Sequence, residues 1–571
     1  MKKKMIPVLV VCALIALVIA GVGASMLIRR YTPSSEHEDL NAYYGLSSND
    51  EVAIVLNNEL LEDKAKVIGG KIYLDYHFVH DILNPRFYWD HNENILLYAT
   101  PRELISAEAD QNSYLITKSS VDYGRPIVKA ASDTAYIDLE FVKKYSDFIY
   151  EYIAEPHRLV ITNQWGDYQT AALKKDTAIR QKGGIKSPIL KDAKAKEEVT
   201  VLESGDSWTK VLTNDGIIGY LKNKTLAKPE TKTRKSEAEP ETYAHITKDF
   251  KICMAWHYVN TPSENAAVSS VLAKTKGLNV ISPTWFYLND NNGNLSNLAS
   301  MDYVNYCHSQ GIEVWALVSN LENKDVDSTE VLTHTSKRQN LVNQIVAMAI
   351  QYNLDGINLD FEALNREKVG DAFIQLVREL SIKCANNGIV LSVDNYVPTA
   401  YTSFYNREEQ ARFADYVVMM GYDEHYAGSE EAGSVASLNW VKQGVADTLK
   451  EVPSEQLILG MPFYTRVWAL TPKDKDAAET SYEISSKGYG MKAASDLLTT
   501  NGATKTWLAD CGQNYSEFQA DGITYQVWLE DAQSAEARLK LVEENSLAGA
   551  SFWRLGFETS DIWDTIIKYI H

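Results

Sequence analysis

From about Ala244 onward the chain repeats one pattern: a short apolar segment, then a run with apolar residues every three to four positions. This alternation constrains the fold more than any other feature, because strands separated by helices pair in parallel and need cover on both faces. Strands are expected at 251–259, 278–288, 313–320, 356–362, 390–397, 416–424, 457–468 and 549–556. Helical runs include 301–310, 338–352, 368–386, 440–449 and 534–545. The expected architecture is an α/β fold, a (β/α)8 TIM barrel over 244–571 with an α+β insertion at about 470–528.

In such barrels chemistry gathers at the C-terminal ends of the strands. Strand four reads DGINLDFE, and period-two alternation puts Asn358, Asp360 and Glu362 on one inward face. Two close, partly buried carboxylates cannot both ionise freely, so one becomes a proton donor. Strand six adds Met420, Tyr422 and Asp423, and strand eight adds Trp553. Strand two contributes Trp285, and strand seven contributes Tyr464, Arg466 and Trp468. An acidic centre walled by aromatic rings suits a carbohydrate. Asp355, which opens the motif, is a catalytic candidate, with a turn or cap beside Gly356 as the plainer reading. His257 and His425 lack metal-ligand spacing, so neither a metal nor a cofactor is expected.

The remainder reads as a series of modules. Residues 1–30 hold Lys2, Lys3 and Lys4 and then an uncharged run over 5–28, long enough to span a bilayer. The basic flank favours a single-pass anchor with the bulk of the chain outside the cell. Small residues around Gly23, Ala24 and Ser25 leave open a cleaved signal and a secreted product. Residues 31–50 are polar and read as a stalk. Residues 51–168 contain a weak repeat, YLDYHFVHDIL from Tyr73 and YIDLEFVKKYS from Tyr136, and form an α+β domain. Residues 170–228 are short strands with turn signals, a small β-barrel, and 229–243 is a Pro/Glu/Lys/Thr-rich linker. The five cysteines show no paired spacing. The formal net charge of −20 argues against a nucleic-acid partner.

The motifs carry a family resemblance. DGINLDFE is similar to the D-G-x-D-x-D-x-E signature of glycoside hydrolase family 18, and MGYD with the strand-eight Trp matches that family's other marks. ISPTWFYL and YQVWLEDAQS look closer to bacterial N-acetylglucosaminidases acting on spore or wall peptidoglycan than to secreted chitinases. The 51–168 region resembles copper amine oxidase N-terminal-like domains, and 170–228 resembles bacterial Src-homology-3-like domains, which often bind wall peptides.

The resemblance implies substrate-assisted retaining hydrolysis of β-1,4 bonds at N-acetylglucosamine, in peptidoglycan or chitin-type glycans. Glu362 would protonate the glycosidic oxygen while the substrate's acetamido oxygen attacks. Asp360 would orient the acetamido nitrogen, Tyr422 would bond its carbonyl, and Trp553 would floor the sugar beside Met420 and Asp423. One departure stands out: the signature's second acid is Asn358 here, an amide expected to hold Asp360 by a hydrogen bond. The alternative is a non-catalytic carbohydrate- or wall-binding protein on the same barrel.

Overall fold

Aliphatic and aromatic residues dominate the segments picked out by the alternation, and they close into a ring. The computed structural model of the chain describes residues 5–132, 134–236, 238–473 and 481–570. The basic flank Lys2, Lys3 and Lys4, Glu237 of the linker and 474–480 of the insertion lie outside the described residues. Contacts divide the chain into two units. One gathers Met1–Trp89, Ala107–Tyr114 and Ser120–Pro240, and the other Asp90–Ser106, Leu115–Ser119 and Glu241–His571.

The second unit contains the barrel. Its strands are β1 (Ile252–His257), β2 (Val280–Pro283), β3 (Glu313–Ser319), β4 (Gly356–Asp360), β5 (Val390–Tyr396), β6 (Tyr416–Met420), β7 (Leu457–Pro462) and β8 (Gly549–Trp553). Each pairs in parallel with its neighbours, and β8 returns to β1 with Gly549 opposite Ile252. Helices such as Thr335–Gln351 and Ala372–Asn386 connect consecutive strands. Alternate residues fill the interior, among them Met254, Trp256, Trp315, Leu317, Tyr416 and Val418. The glycine of the strand-four motif has a packing cause: a Cβ on Gly356 would lie 2.7 Å from the Trp315 ring.

The strands end earlier than the apolar pattern suggests, β2 and β7 by the most. β2 stops at Pro283 and β7 at Pro462, because proline has no N–H to continue a ladder. After Pro283 the chain re-forms a strand at Phe286–Leu288 beside β3. After Pro462, Tyr464–Pro472 leaves the barrel and joins a five-stranded sheet with Tyr482–Gly490, Thr506–Leu508, Gln513–Ala520 and Ile523–Leu529. The helix Met491–Thr500 packs on it through Ala494 and Leu498, giving an α+β insertion that starts at Tyr464.

In the first unit the sequence repeat becomes a paired motif. Lys71–Asp75 and Ala135–Asp138 run antiparallel, with Leu74 opposite Ile137. Each ends in an aspartate that caps the next helical turn: Asp75 accepts from the His77 N–H at 2.8 Å and Asp138 from the Glu140 N–H at 3.1 Å. A second seven-stranded sheet runs from Ile189–Ala193 to Gly166–Ala172 and Glu230–Arg234.

Two modules differ from their expected form. The linker contributes Glu230–Arg234 as a strand on Gly166–Ala172, since backbone pairing needs no apolar side chain. The stalk is docked rather than free. Leu40–Tyr44 is a helix whose Tyr44 is buried, with its hydroxyl donating to the Gly216 carbonyl at 3.0 Å. The helix Met5–Tyr31 is exposed along its length and, among the described residues, is the one helix long and apolar enough to cross a membrane.

Candidate active site

The inward face of β4 meets that of β5 at the C-terminal mouth of the barrel. Asn358 is fully buried and acts as a hub. Its Oδ1 accepts from Trp256 Nε1 at 2.8 Å and from Ser282 Oγ at 3.2 Å. Its Nδ2 donates to Ser392 Oγ at 3.0 Å and to Asp394 Oδ1 at 2.7 Å. An indole can only donate, so Trp256 fixes which way the amide points. Both amide protons are therefore engaged by β5, and the expected hydrogen bond from Asn358 to Asp360 is not made.

Asp360 ends β4, and its Oδ1 is buried without a hydrogen-bond partner among the described residues. Burial, followed by the charges of Glu362, Asp394 and Glu322, holds its carboxyl well above the usual range. Glu362 lies two residues beyond the strand. Asn320, just past β3, clamps its backbone from both sides: Oδ1 accepts the Glu362 N–H at 2.9 Å, and Nδ2 donates to its carbonyl at 3.0 Å. On the other side Tyr405 donates to the Phe361 carbonyl at 3.2 Å, and the Tyr396 hydroxyl accepts the Ala363 N–H at 3.2 Å. Burial raises the Glu362 pKa, a hydrogen bond from Tyr396 opposes the rise, and Asp423 and Glu322 add to it. A carboxyl tuned upward and held rigidly at a strand end is suited to donate a proton.

Aromatic rings surround these acids. Trp256 lies 6.4 Å from Tyr422 at a steep angle and 5.7 Å from Trp553. Tyr464 lies 6.3 Å from Tyr422 and donates to Asp423 Oδ1 at 2.5 Å. Asp423 is exposed with a positive φ of 62°, which aspartate tolerates, and Met420 is buried beneath. Arg466 Nη1 donates to Ser486 Oγ at 3.2 Å, and its charge acts on Tyr464. Two cavities flank the turn at Glu362–Leu364. One of about 360 Å³ is polar, with Asn320, Asp327 and Asn365. The other, about 550 Å³, is largely aromatic, with Tyr396, Tyr401, Tyr405, Tyr422 and Tyr426.

Three expected contributors lie elsewhere. Asp355 precedes β4, about 16 Å from Asp360 along a five-residue strand. There its Oδ2 accepts the Val314 N–H at 2.8 Å and pairs with His308 Nε2 at 2.8 Å, a structural tie at the opposite end of the barrel. Trp285 is fully buried, with Nε1 donating to Asn265 at 2.8 Å and its ring 4.9 Å from Tyr303, so it is core and not sugar wall. Trp468 is also buried and donates to the Gly433 carbonyl at 2.8 Å. His257 bonds the Tyr303 hydroxyl and His425 the Ser434 carbonyl, both at 2.8 Å.

The structure adds Trp256, Asn320, Glu322, Asp394 and Tyr396 to the site. The alternation applied to strand four also marks Ser392, Asp394 and Tyr396 on strand five and Met254 and Trp256 on strand one. Asn320 and Glu322 lie on a loop, where no periodicity marks them.

Comparison with known proteins gives the family of the barrel. The model of glycosyl hydrolases family 18 matches residues 217–558, and that of the bacterial SH3 domain matches residues 175–227. The uncharacterized glycosylase YvbX of Bacillus subtilis is 25% identical over 319 residues, 54% of this chain and 89% of that protein. The cortical fragment-lytic enzyme of the same organism is 25% identical over 279 residues, 47% of this chain and 62% of that enzyme. The crystal structure of the spore cortex-lytic enzyme SleL from Bacillus cereus superposes with a TM-score of 0.50 at 18% identity, covering 59% of this chain and 79% of that one.

Proposed function

The chain belongs to glycosyl hydrolases family 18, and on that premise we propose that it is an exported, membrane-tethered glycosidase cleaving β-1,4 bonds at N-acetylglucosamine in peptidoglycan. The observation that carries this reading is the Asp360–Glu362 pair, both raised in pKa, at a barrel mouth walled by Tyr422 and Trp553. Glu362 donates its proton to the glycosidic oxygen, and the C–O bond to the leaving sugar breaks. The acetamido oxygen of the substrate attacks the anomeric carbon in place of a protein nucleophile, so the usual carboxylate-separation rule does not apply. Asp360 accepts from the acetamido N–H, Tyr422 donates to its carbonyl oxygen, and Trp553 supports the sugar ring. Glu362 then takes a proton from the water that opens the ring intermediate.

Peptidoglycan is favoured over chitin by the cortex-lytic names of the relatives and by the bacterial SH3 match, the module we assign to wall contact. The helix Met5–Tyr31 supplies the tether, with the barrel outside. The test is to incubate the protein with purified peptidoglycan and with chitin oligomers at about pH 5–6 and read new reducing ends by mass spectrometry. Products ending in N-acetylglucosamine, lost in Glu362→Gln, are expected. Tight glycan binding with no product from either substrate would overturn the reading and leave a carbohydrate-binding protein.

A further inference from the structure

Asn358 stands where the family signature has an acid, so β4 itself offers Asp360 no inward carboxyl below it. The register between β4 and β5 brings one from the side. Asn358 pairs with Ser392 and Leu359 with Val393, which sets Asp394 beside Asp360 on the same inward face. Asp394 is 2% exposed. Its Oδ1 is already an acceptor for the Asn358 amide, whose orientation Trp256 fixes. Its Oδ2 is buried and has no hydrogen-bond partner among the described residues, and Asp360 Oδ1 is in the same condition.

Asp394 and the half-buried Asp360, on adjacent strands, thus each keep one buried, unmatched oxygen. Two carboxylates cannot answer each other, since both only accept. A neutral carboxyl beside a carboxylate can, because it donates. We propose that Asp394 is a positioning residue that supplies from β5 the proton partner missing from β4, so that one proton is shared between Asp394 and Asp360. The pair then carries one negative charge. Asp394 makes and breaks no bond to substrate; it acts through Asp360. Burial and the charge of Glu362 raise the Asp394 pKa, and the Asn358 hydrogen bond lowers it. The other groups facing the pair are Glu322 beyond β3, Tyr405 after β5 and Tyr422 beyond β6, so the nearby charges are carboxylates.

The inference rests on the glycosidase reading where turnover is the readout, and a second arm is free of it. In wild type, log(kcat/KM) is expected to fall on the alkaline side with two ionisations, Glu362 and the shared proton. Asp394→Asn removes one, so the limb falls with a single ionisation, with kcat down about tenfold or more and KM within about twofold. Adding Asn358→Asp to Asp394→Asn returns an acid to β4 and restores the second ionisation. Independently, the protonated-carboxyl region of the infrared spectrum at neutral pH, to which Glu362 also contributes, is expected to lose intensity in Asp394→Asn. An alkaline limb unchanged in Asp394→Asn, or a protonated-carboxyl region unchanged in that variant, overturns the proposal. Absence of turnover in wild type on every glycan sinks the glycosidase reading instead, and the infrared arm still decides the proton pair.

Discussion

Asp360 is placed where the proposed chemistry needs it and its solvation does not. A buried carboxyl with an unmatched oxygen costs about 1–3 kcal/mol, more when charged. Its pKa is raised in the folded protein, so between the ordinary value of 3.8 and the raised one the native state holds more protons than the unfolded chain. Stability therefore falls as pH climbs through that window. Asp360→Asn removes the charge and is expected to raise Tm by about 2 °C or more at pH 7, with a smaller gain at pH 4 where the wild-type group is largely protonated. Calorimetry at the two pH values checks the difference, and under the proposed mechanism the same variant is expected to lose hydrolysis. In the proposed mechanism the active form of Glu362 is the protonated one. Activity is expected to fall as pH rises through its raised pKa, and Glu362→Gln to lose about 10²–10⁴-fold in kcat at the optimum.

At the scale of elements, the strand-four motif serves two ends of one strand. Its acids lie at the mouth, while Asp355 and Gly356 serve packing at the base. Gly356→Ala presses a Cβ within 2.7 Å of the buried Trp315 ring, and a loss of about 1–3 kcal/mol is expected, read as a lower denaturation midpoint with the m-value unchanged. The repeat gives a graded test. Asp138 is buried and bonds Arg125 Nε at 2.7 Å, the Tyr123 hydroxyl at 2.8 Å and two helix N–H groups. Asp75 caps one N–H and accepts from Thr134. Asp138→Ala should cost about 3 kcal/mol or more and Asp75→Ala about 1 kcal/mol, read by hydrogen exchange across residues 135–144 and 71–78. The strand alternation and the Asp360, Glu362, Tyr422 and Trp553 cluster were legible because period and spacing are local. The roles of Trp285 and Asn358 were not, because each depends on a partner far along the chain: Asn265 across a loop for the first, Asp394 on the next strand for the second. The strand Glu230–Arg234 is not legible in the sequence, because pairing by backbone leaves no apolar trace.

For the molecule as a whole, the proposed tether would set where the barrel works. The helix Met5–Tyr31 has the length to span a bilayer, and its apolar surface is exposed among the described residues. Confinement near a membrane raises the local concentration of the enzyme over an adjacent glycan layer without any new contact. Residues 5–31 lie outside the catalytic machinery, so their removal should leave kcat/KM on short soluble glycans within about twofold and lower the rate on intact cell envelopes by about tenfold or more. The full chain should sediment with membranes after a carbonate wash and the shortened chain remain in the supernatant. Equal rates on intact envelopes for both forms would show that the helix does not concentrate the enzyme on its substrate. In that case the first unit, including its bacterial SH3 module, would be enough to bring the barrel to the wall.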